Sequence, residues 1–205
     1  MAFANYTAFR TAVLKLIDGD NVNSQSIDQD TLDLLIQLGE ARVYRELRCS
    51  AMEAPLSVAV AGGEAAIPDD LIELKIAWFD PDKPLEIVSE QDLRARLCTW
   101  QGSPVRQVAQ AGESLIFLPP ASDGEVLEGR YYQRPVDLKT GPLPAAFTRY
   151  GEVYLYAALA ESAPFIGDDD RIPMWNATYQ AWLDSANAQE RNRIYSGSRL
   201  RQKAR

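Results

Sequence analysis

Residues 56–63, Leu56-Ser57-Val58-Ala59-Val60-Ala61-Gly62-Gly63, decide the fold. Apolar residues alternate there with small or polar ones, the period of a strand. The paired glycines can take the positive φ that a tight hairpin requires. Upstream the period is helical: Phe9, Val13, Leu16 and Ile17 recur at helix spacing over residues 5–18. Gly19, Asp20, Asn21, Asn23, Ser24 and Ser26 then make residues 19–27 a loop. Ser26 with Gln29 reads as a capping box, opening a helix from about Ile27 to Leu47. Its stripe is Leu32, Leu35, Ile36, Val43 and Leu47.

Downstream, Pro68-Asp69-Asp70 breaks the chain. Ile72, Leu74, Ile76 and Trp78 alternate with Glu73, Lys75 and Ala77, predicting a strand with one buried face. Asp80-Pro81-Asp82 is a turn, and Ser89 with Asp92 caps a short helix to about Leu97. Residues 104–110, 114–118 and 126–133 are each strand-length, with Gly112-Glu113 a hairpin between the first two. The connections look too short for helical crossovers, so the expected β unit is antiparallel. Around residues 136–147, Pro135, Gly141, Pro142 and Pro144 mark an extended linker. Residues 148–164 are apolar nearly all round, a buried helix containing Tyr154 that ends at Pro164. Asp168-Asp169-Asp170 precedes a last helix of about 171–192, with Trp175, Tyr179, Trp182 and Ala186 on one face.

The expected fold class is therefore α+β, a helical bundle formed by the N- and C-terminal helices with an inserted antiparallel β unit. The expected segments are 1–50 and 137–191 for the helices, 51–136 for the β unit, and 192–205 for a basic arm. Trp78, Tyr154, Trp175, Tyr179 and Trp182 are the expected core aromatics.

Composition narrows the function. The 205 residues are 46% hydrophobic with a net charge of −8, a globular composition and a poor one for non-specific nucleic-acid binding. No apolar run is long enough for a membrane helix, and the first residues lack the pattern of a signal peptide. Synthesis and retention in a cytoplasm are expected. There is no histidine, and the two cysteines, Cys49 and Cys98, are too few for a disulfide framework. The commonest general base, nucleophile activator and metal ligand is thus missing. No nucleophile elbow, zinc spacing or dinucleotide fingerprint compensates, so neither enzyme activity nor a cofactor is expected.

Three features invite chemical readings. Asp168-Asp169-Asp170 offers oxygens to a cation but lacks the alternating spacing of a calcium loop; N-capping accounts for it better. Glu40, Arg42, Arg45, Glu46 and Arg48 read as ion pairs on a helix surface or at a subunit interface rather than as a catalytic cluster. The end of the chain carries Arg193, Ile194, Tyr195, Arg199, Leu200, Arg201, Lys203 and Arg205, with Ser196-Gly197-Ser198 between. That arm is a solvated tail, a segment that docks in an acidic groove, or a DNA contact. The last reading makes a nucleic-acid-binding module the alternative function. Asn5-Tyr6-Thr7 and Asn176-Ala177-Thr178 match the glycosylation pattern by chance if no export occurs.

An ordered set of segments carries a resemblance. It comprises Leu34 to Ile36, then Leu38-Gly39-Glu40-Ala41-Arg42-Val43-Tyr44-Arg45-Glu46-Leu47-Arg48, then Ile67-Pro68-Asp69-Asp70-Leu71-Ile72-Glu73-Leu74-Lys75. Pro84-Leu85-Glu86, Val88-Ser89, Gly112 with Leu115-Ile116-Phe117-Leu118-Pro119, and Leu127-Glu128-Gly129-Arg130-Tyr131-Tyr132 follow. The last are Tyr154-Leu155-Tyr156-Ala157-Ala158-Leu159-Ala160-Glu161-Ser162-Ala163-Pro164 and Asp168-Asp169-Asp170-Arg171 with Trp175. In this the chain resembles the head-to-tail adaptor (connector, head-completion) proteins of tailed bacteriophages. The resemblance implies a ring of identical subunits, usually twelve, beneath the portal protein. Such a ring extends the DNA channel and gives tail or nozzle proteins a platform. The implied location is the virion after assembly in the host cytoplasm, with double-stranded DNA passing through and no membrane involved. The C-terminal arm is then the expected portal contact.

Overall fold

The structure, a computed structural model, describes residues 3–18, 27–96, 104–162 and 171–195. The chain divides into two compact units, Met1–Met52 with Pro135–Arg205, and Glu53–Arg134.

The second unit is built on strands β1 (Glu53–Ala61), β2 (Glu64–Ala66), β3 (Leu71–Asp80), β4 (Lys83–Pro84), β5 (Glu86–Ile87), β6 (Gln107–Ala111), β7 (Ser114–Leu118) and β8 (Val126–Gln133), with a short helix over Glu90–Arg96 between β5 and β6. The eight strands run in the order β4-β3-β8-β1-β2-β7-β6-β5. The two outer strands, β4 and β5, are consecutive in the chain and separated only by Leu85. The Leu85 N–H donates to the Ala77 carbonyl (2.8 Å) on one side, and the Glu86 N–H donates to the Arg106 carbonyl (2.8 Å) on the other. One residue of main chain thus nearly closes the sheet. Gly62 and Gly63 turn β1 into β2 with φ of +64° and +80°, as their sequence predicts. Ser89 caps the short helix, its Oγ accepting from the Asp92 N–H (3.1 Å). The unit has its own apolar interior, including Leu56, Val60, Ala77, Leu85, Val108, Leu115, Phe117 and Leu127.

This architecture corrects the expected fold class. The sheet is mixed, not antiparallel, because β5 runs parallel to β6. The connection from Val88 to Arg106 carries the short helix and is long enough for a crossover. An eight-stranded, nearly closed mixed sheet stands in place of the expected antiparallel insert, so the expected architecture of a terminal-helix bundle with an inserted antiparallel β unit does not hold.

Trp78 is a second correction. Pairing of β3 with β8 shifts register between Leu71 and Glu73 and again between Leu74 and Ile76. Each shift exchanges the inward and outward faces, so Leu71, Leu74, Ala77 and Phe79 meet the interior. Trp78 stays half-buried, its Nε1 donating to Glu128 Oε2 (3.2 Å).

The first unit holds α1 (Tyr6–Asp18), α2 (Gln29–Glu46), a 3-10 turn at Ser50–Met52, α4 (Ala145–Glu161) and α5 (Arg171–Tyr195), the short helix of the sheet unit being α3. Asp28 caps α2, accepting from the Thr31 N–H (2.8 Å); Ser26, expected in that role, lies outside the described residues. α4 is apolar nearly all round, and α1, α2 and α5 each pack on it. Edge-to-face rings link Phe9, Phe147 and Tyr154, with centroids 5.1 and 5.2 Å apart. Along α5 the buried side chains are Trp175, Tyr179, Leu183, Ala186 and Glu190. Trp182, expected in the core, is 45% exposed, because the buried stripe steps from 179 to 183 and leaves 182 on its flank.

The hydroxyl of buried Tyr154 has no hydrogen-bond partner among the described residues. An unsatisfied buried hydroxyl costs stability while its ring contributes packing. Tyr154→Phe is expected to stabilise the protein by about 1 kcal/mol, read as a higher urea midpoint at an unchanged slope.

Asp33 fastens α1 and the segment before α4 to α2. It accepts from the Tyr6 hydroxyl (2.7 Å) and pairs with Lys139 (2.8 Å) and Arg10 (3.4 Å). Burial pushes its carboxyl up, but Lys139, Tyr6 and Arg10 together outweigh that and hold it below the usual carboxylate range. The folded value is depressed, so the stabilisation is complete above the unfolded value of about 4 and drains away as pH falls through the folded one. Asp33→Asn is expected to flatten the acid limb of the stability–pH profile and leave neutral stability lower.

Candidate functional site

The charged residues of α2 are largely bonded within the chain, although only Glu40 is buried. Glu40 is 4% exposed and accepts from the Leu138 N–H (3.1 Å). Arg42 reaches Glu161 (3.1 Å) and Glu46 (3.5 Å), and its guanidinium lies 4.3 Å from the Tyr179 ring centroid. The Tyr179 hydroxyl donates to Glu46 (2.9 Å). Arg48 donates to the carbonyls of Tyr44 (3.1 Å) and Leu47 (2.9 Å). Of the five residues expected at a subunit interface, Arg42 and Glu46 therefore tie α2 to α4 and α5, Glu40 holds the Leu138 segment, Arg48 closes the C-terminal end of α2, and Arg45 and Glu46 are exposed. A charged residue on an otherwise apolar stripe, as Glu40 is between Ile36 and Val43, was the signal for this.

Glu190 forms a hub that the sequence reading missed. Its carboxylate accepts from the Tyr150 hydroxyl (2.6 Å), Arg149 Nη1 (3.0 Å) and the Ser50 N–H (3.1 Å). Arg193 adds a bond to the Ser50 hydroxyl (2.5 Å). Burial raises the Glu190 carboxyl, but Tyr150, Ser50 and Arg149 donate to the charged form and hold it below its ordinary value. Burial, and then the bond to Glu190, pushes the Tyr150 phenol up to about 12. A kink in α4 at Tyr150 accompanies this contact. Cys49 beside the hub is buried, and that burial pushes its thiol up to about 11, an inert rather than a nucleophilic state. Cys98 lies outside the described residues.

The expected arm begins later than its sequence suggests. α5 continues to Tyr195, so Arg193, Ile194 and Tyr195 belong to a helix. Arg199, Leu200, Arg201, Lys203 and Arg205 lie outside the described residues, as does Asp168-Asp169-Asp170.

Among the described residues, no group of three or more acidic or cysteine side chains is arranged to hold a metal, and no helix is long and apolar enough to cross a membrane. The sheet unit has a pocket of about 330 Å³ walled by Phe79, Leu85, Val105 and Pro119, with Asp80 and Glu125 among its polar residues. Among the described residues of the helical unit the large exposed apolar side chains are Leu16, Leu34, Leu38 and Val136, together with Met174 and Trp182 on α5. The helical unit thus presents exposed apolar side chains and, toward the end of α5, the exposed Arg193.

No curated protein matches the chain. The model of the SU10 adaptor protein family matches residues 4–203, across both units and the basic C-terminal segment. With nearly its whole length matched, the chain belongs to the SU10 adaptor protein family, structural components of bacteriophage virions.

Proposed function

We propose that the protein is the head-to-tail adaptor of a tailed phage, a ring of identical subunits beneath the portal that extends the DNA channel and receives tail or nozzle proteins. The family match over residues 4–203 carries this reading. The basic residues Arg193, Arg199, Arg201, Lys203 and Arg205, with Ile194, Tyr195 and Leu200 as apolar anchors, form the portal-binding end. The Glu190 hub supports that role: it fastens the last turns of α5 to Ser50, Arg149 and Tyr150, giving whatever follows a fixed root. A segment that orders on its partner buries much surface per residue and commits only when the partner is present.

The test is to mix the full chain with portal protein and measure complex mass and negative-stain images, alongside a chain ending at Tyr195. Ring density on the portal with the full chain, lost with the shortened one, is the expected result. Failure of the full chain to associate with portal at any concentration overturns the reading. A salt-titrated DNA-binding assay separates it from the nucleic-acid alternative, in which the logarithm of affinity falls by about 0.9 per phosphate contact for each logarithmic unit of salt.

A further inference from the structure

Two exposed apolar faces of the helical unit have opposite shapes. On α2, Leu34 and Leu38 are 46% and 42% exposed, one turn apart. Asp30 stands one turn before Leu34 on the same face, at i, i+4, i+8 spacing. This is a ridge, acidic at its N-terminal end. Between α4 and α5 lies a groove of about 170 Å³, with room for a leucine side chain, lined by Trp182, Tyr150, Val153, Arg149 and Gln189 among others. Trp182 is 45% exposed at its edge. The groove is cationic toward the C-terminal end of α5. There the Arg149 side chain is 45% exposed despite its bond to Glu190, and that of Arg193, one turn beyond Gln189, is 60% exposed. Glu152 is the one acid in the lining.

From these faces we infer that adjacent copies of the chain join ridge to groove, Leu34 and Leu38 of one copy packing against Trp182 of the next with Asp30 set toward Arg149. The inference rests on the ring reading above and supplies its contact. Charge complementarity selects a second copy as the occupant: the ridge is acidic at the end where an antiparallel crossing meets the basic end of the groove. Tryptophan and arginine side by side in a cleft are also the residues that dominate interface energetics. Ridge and groove are different patches, so a pair of copies keeps one ridge and one groove unused. Contacts of that type propagate until they close a circle. The face carrying Arg42 and Glu46, the more obvious candidate in sequence, is already committed within the chain.

The experiment uses two full-length variants, Leu34→Asp and Trp182→Asp. Both positions are exposed on helices, so each variant should retain its circular dichroism and melting profile. Each alone should associate at least thirtyfold more weakly than the unmodified chain, by sedimentation at rising concentration and by ring counting on portal. Mixed one to one, they should form a pair that stops at two chains, because the groove of the first and the ridge of the second are intact. A mixture that fails to pair although each variant has lost assembly overturns the ridge-to-groove match. Variants that still build complete rings on portal overturn the inference and leave the ring standing. An unmodified chain that associates with neither itself nor portal overturns both.

Discussion

Replacing Gly39 by leucine is expected to lower stability by about 3 kcal/mol, the upper range for overpacking a close contact. α2 and α4 cross at this residue, against Ala157 and Ala158. A Cβ built on Gly39 would lie 2.6 Å from the Ala158 nitrogen and 2.8 Å from its Cα. Those are backbone atoms of a helix packed on three others, so no side chain can swing aside to relieve the clash. Two effects oppose each other in the smaller change, Gly39→Ala. Alanine gains about 1 kcal/mol in helix propensity, but the helices must separate, and with them the contacts α2 makes along α4. The clash wins at this spacing, so Gly39→Ala is expected to be destabilising and Gly39→Leu more so. Urea denaturation followed by circular dichroism measures both. Gln37→Ala, on the exposed side of the same helix, is the control and should stay within about 0.5 kcal/mol. A Gly39→Ala protein as stable as the unmodified chain would show that the two helices can yield.

Glu190→Ala is the second large effect, a loss of about 3 kcal/mol. The substitution removes one carboxylate and strands two donors, the Tyr150 hydroxyl and the Ser50 N–H, while the Arg149 guanidinium loses its ion pair and keeps its bond to the Ser50 hydroxyl. Leaving partners unpaired costs more than the net value of the bonds themselves. Glu190→Gln should fall between, since the amide oxygen can still accept from Tyr150 while its NH2 cannot accept from Arg149. The pH response follows from the depressed folded carboxyl. The hub contributes fully above the unfolded glutamate value of about 4.3 and loses its contribution as pH falls through the folded value. The Glu190→Ala protein should therefore lose less stability than the unmodified chain on acidification. Hydrogen exchange should locate the damage in the last turns of α5 and around Ser50.

Local signals in the sequence report local structure faithfully. Gly62-Gly63 and the Ser89–Asp92 cap depend only on residues within a few positions, and both form as their chemistry requires. The two register shifts in β3 had no local mark. They depend on pairing with β8, more than fifty residues later, and they turned Trp78 from the expected inner face. The parallel β5–β6 pair is hidden because the connection between them, which carries the short helix, looks too short for a crossover. Glu190 continues the stripe of Trp175, Tyr179, Leu183 and Ala186, but a charged residue late on that face does not read as buried. A carboxylate at such a position is stable only if donors converge from elsewhere in the chain, here from Ser50 and Arg149. The apolar docking faces are exposed for the same reason: which side of a helix is covered is decided by its neighbours, and periodicity along α5 alone could not choose between residues 182 and 183.

The 25 residues of α5 span about 37 Å as a single helix. One end is gripped where Arg171 donates to the carbonyls of Leu16 and Ile17 (both 3.1 Å), the other where Glu190 is held. A pull applied beyond Tyr195 is therefore carried lengthwise as tension in one strut and handed to α1 at its far end. Detaching it by force must break the Glu190 bonds, the buried stripe of Trp175, Tyr179, Leu183 and Ala186 and the Arg171 bonds, whereas thermal fraying can open the terminal turns one at a time.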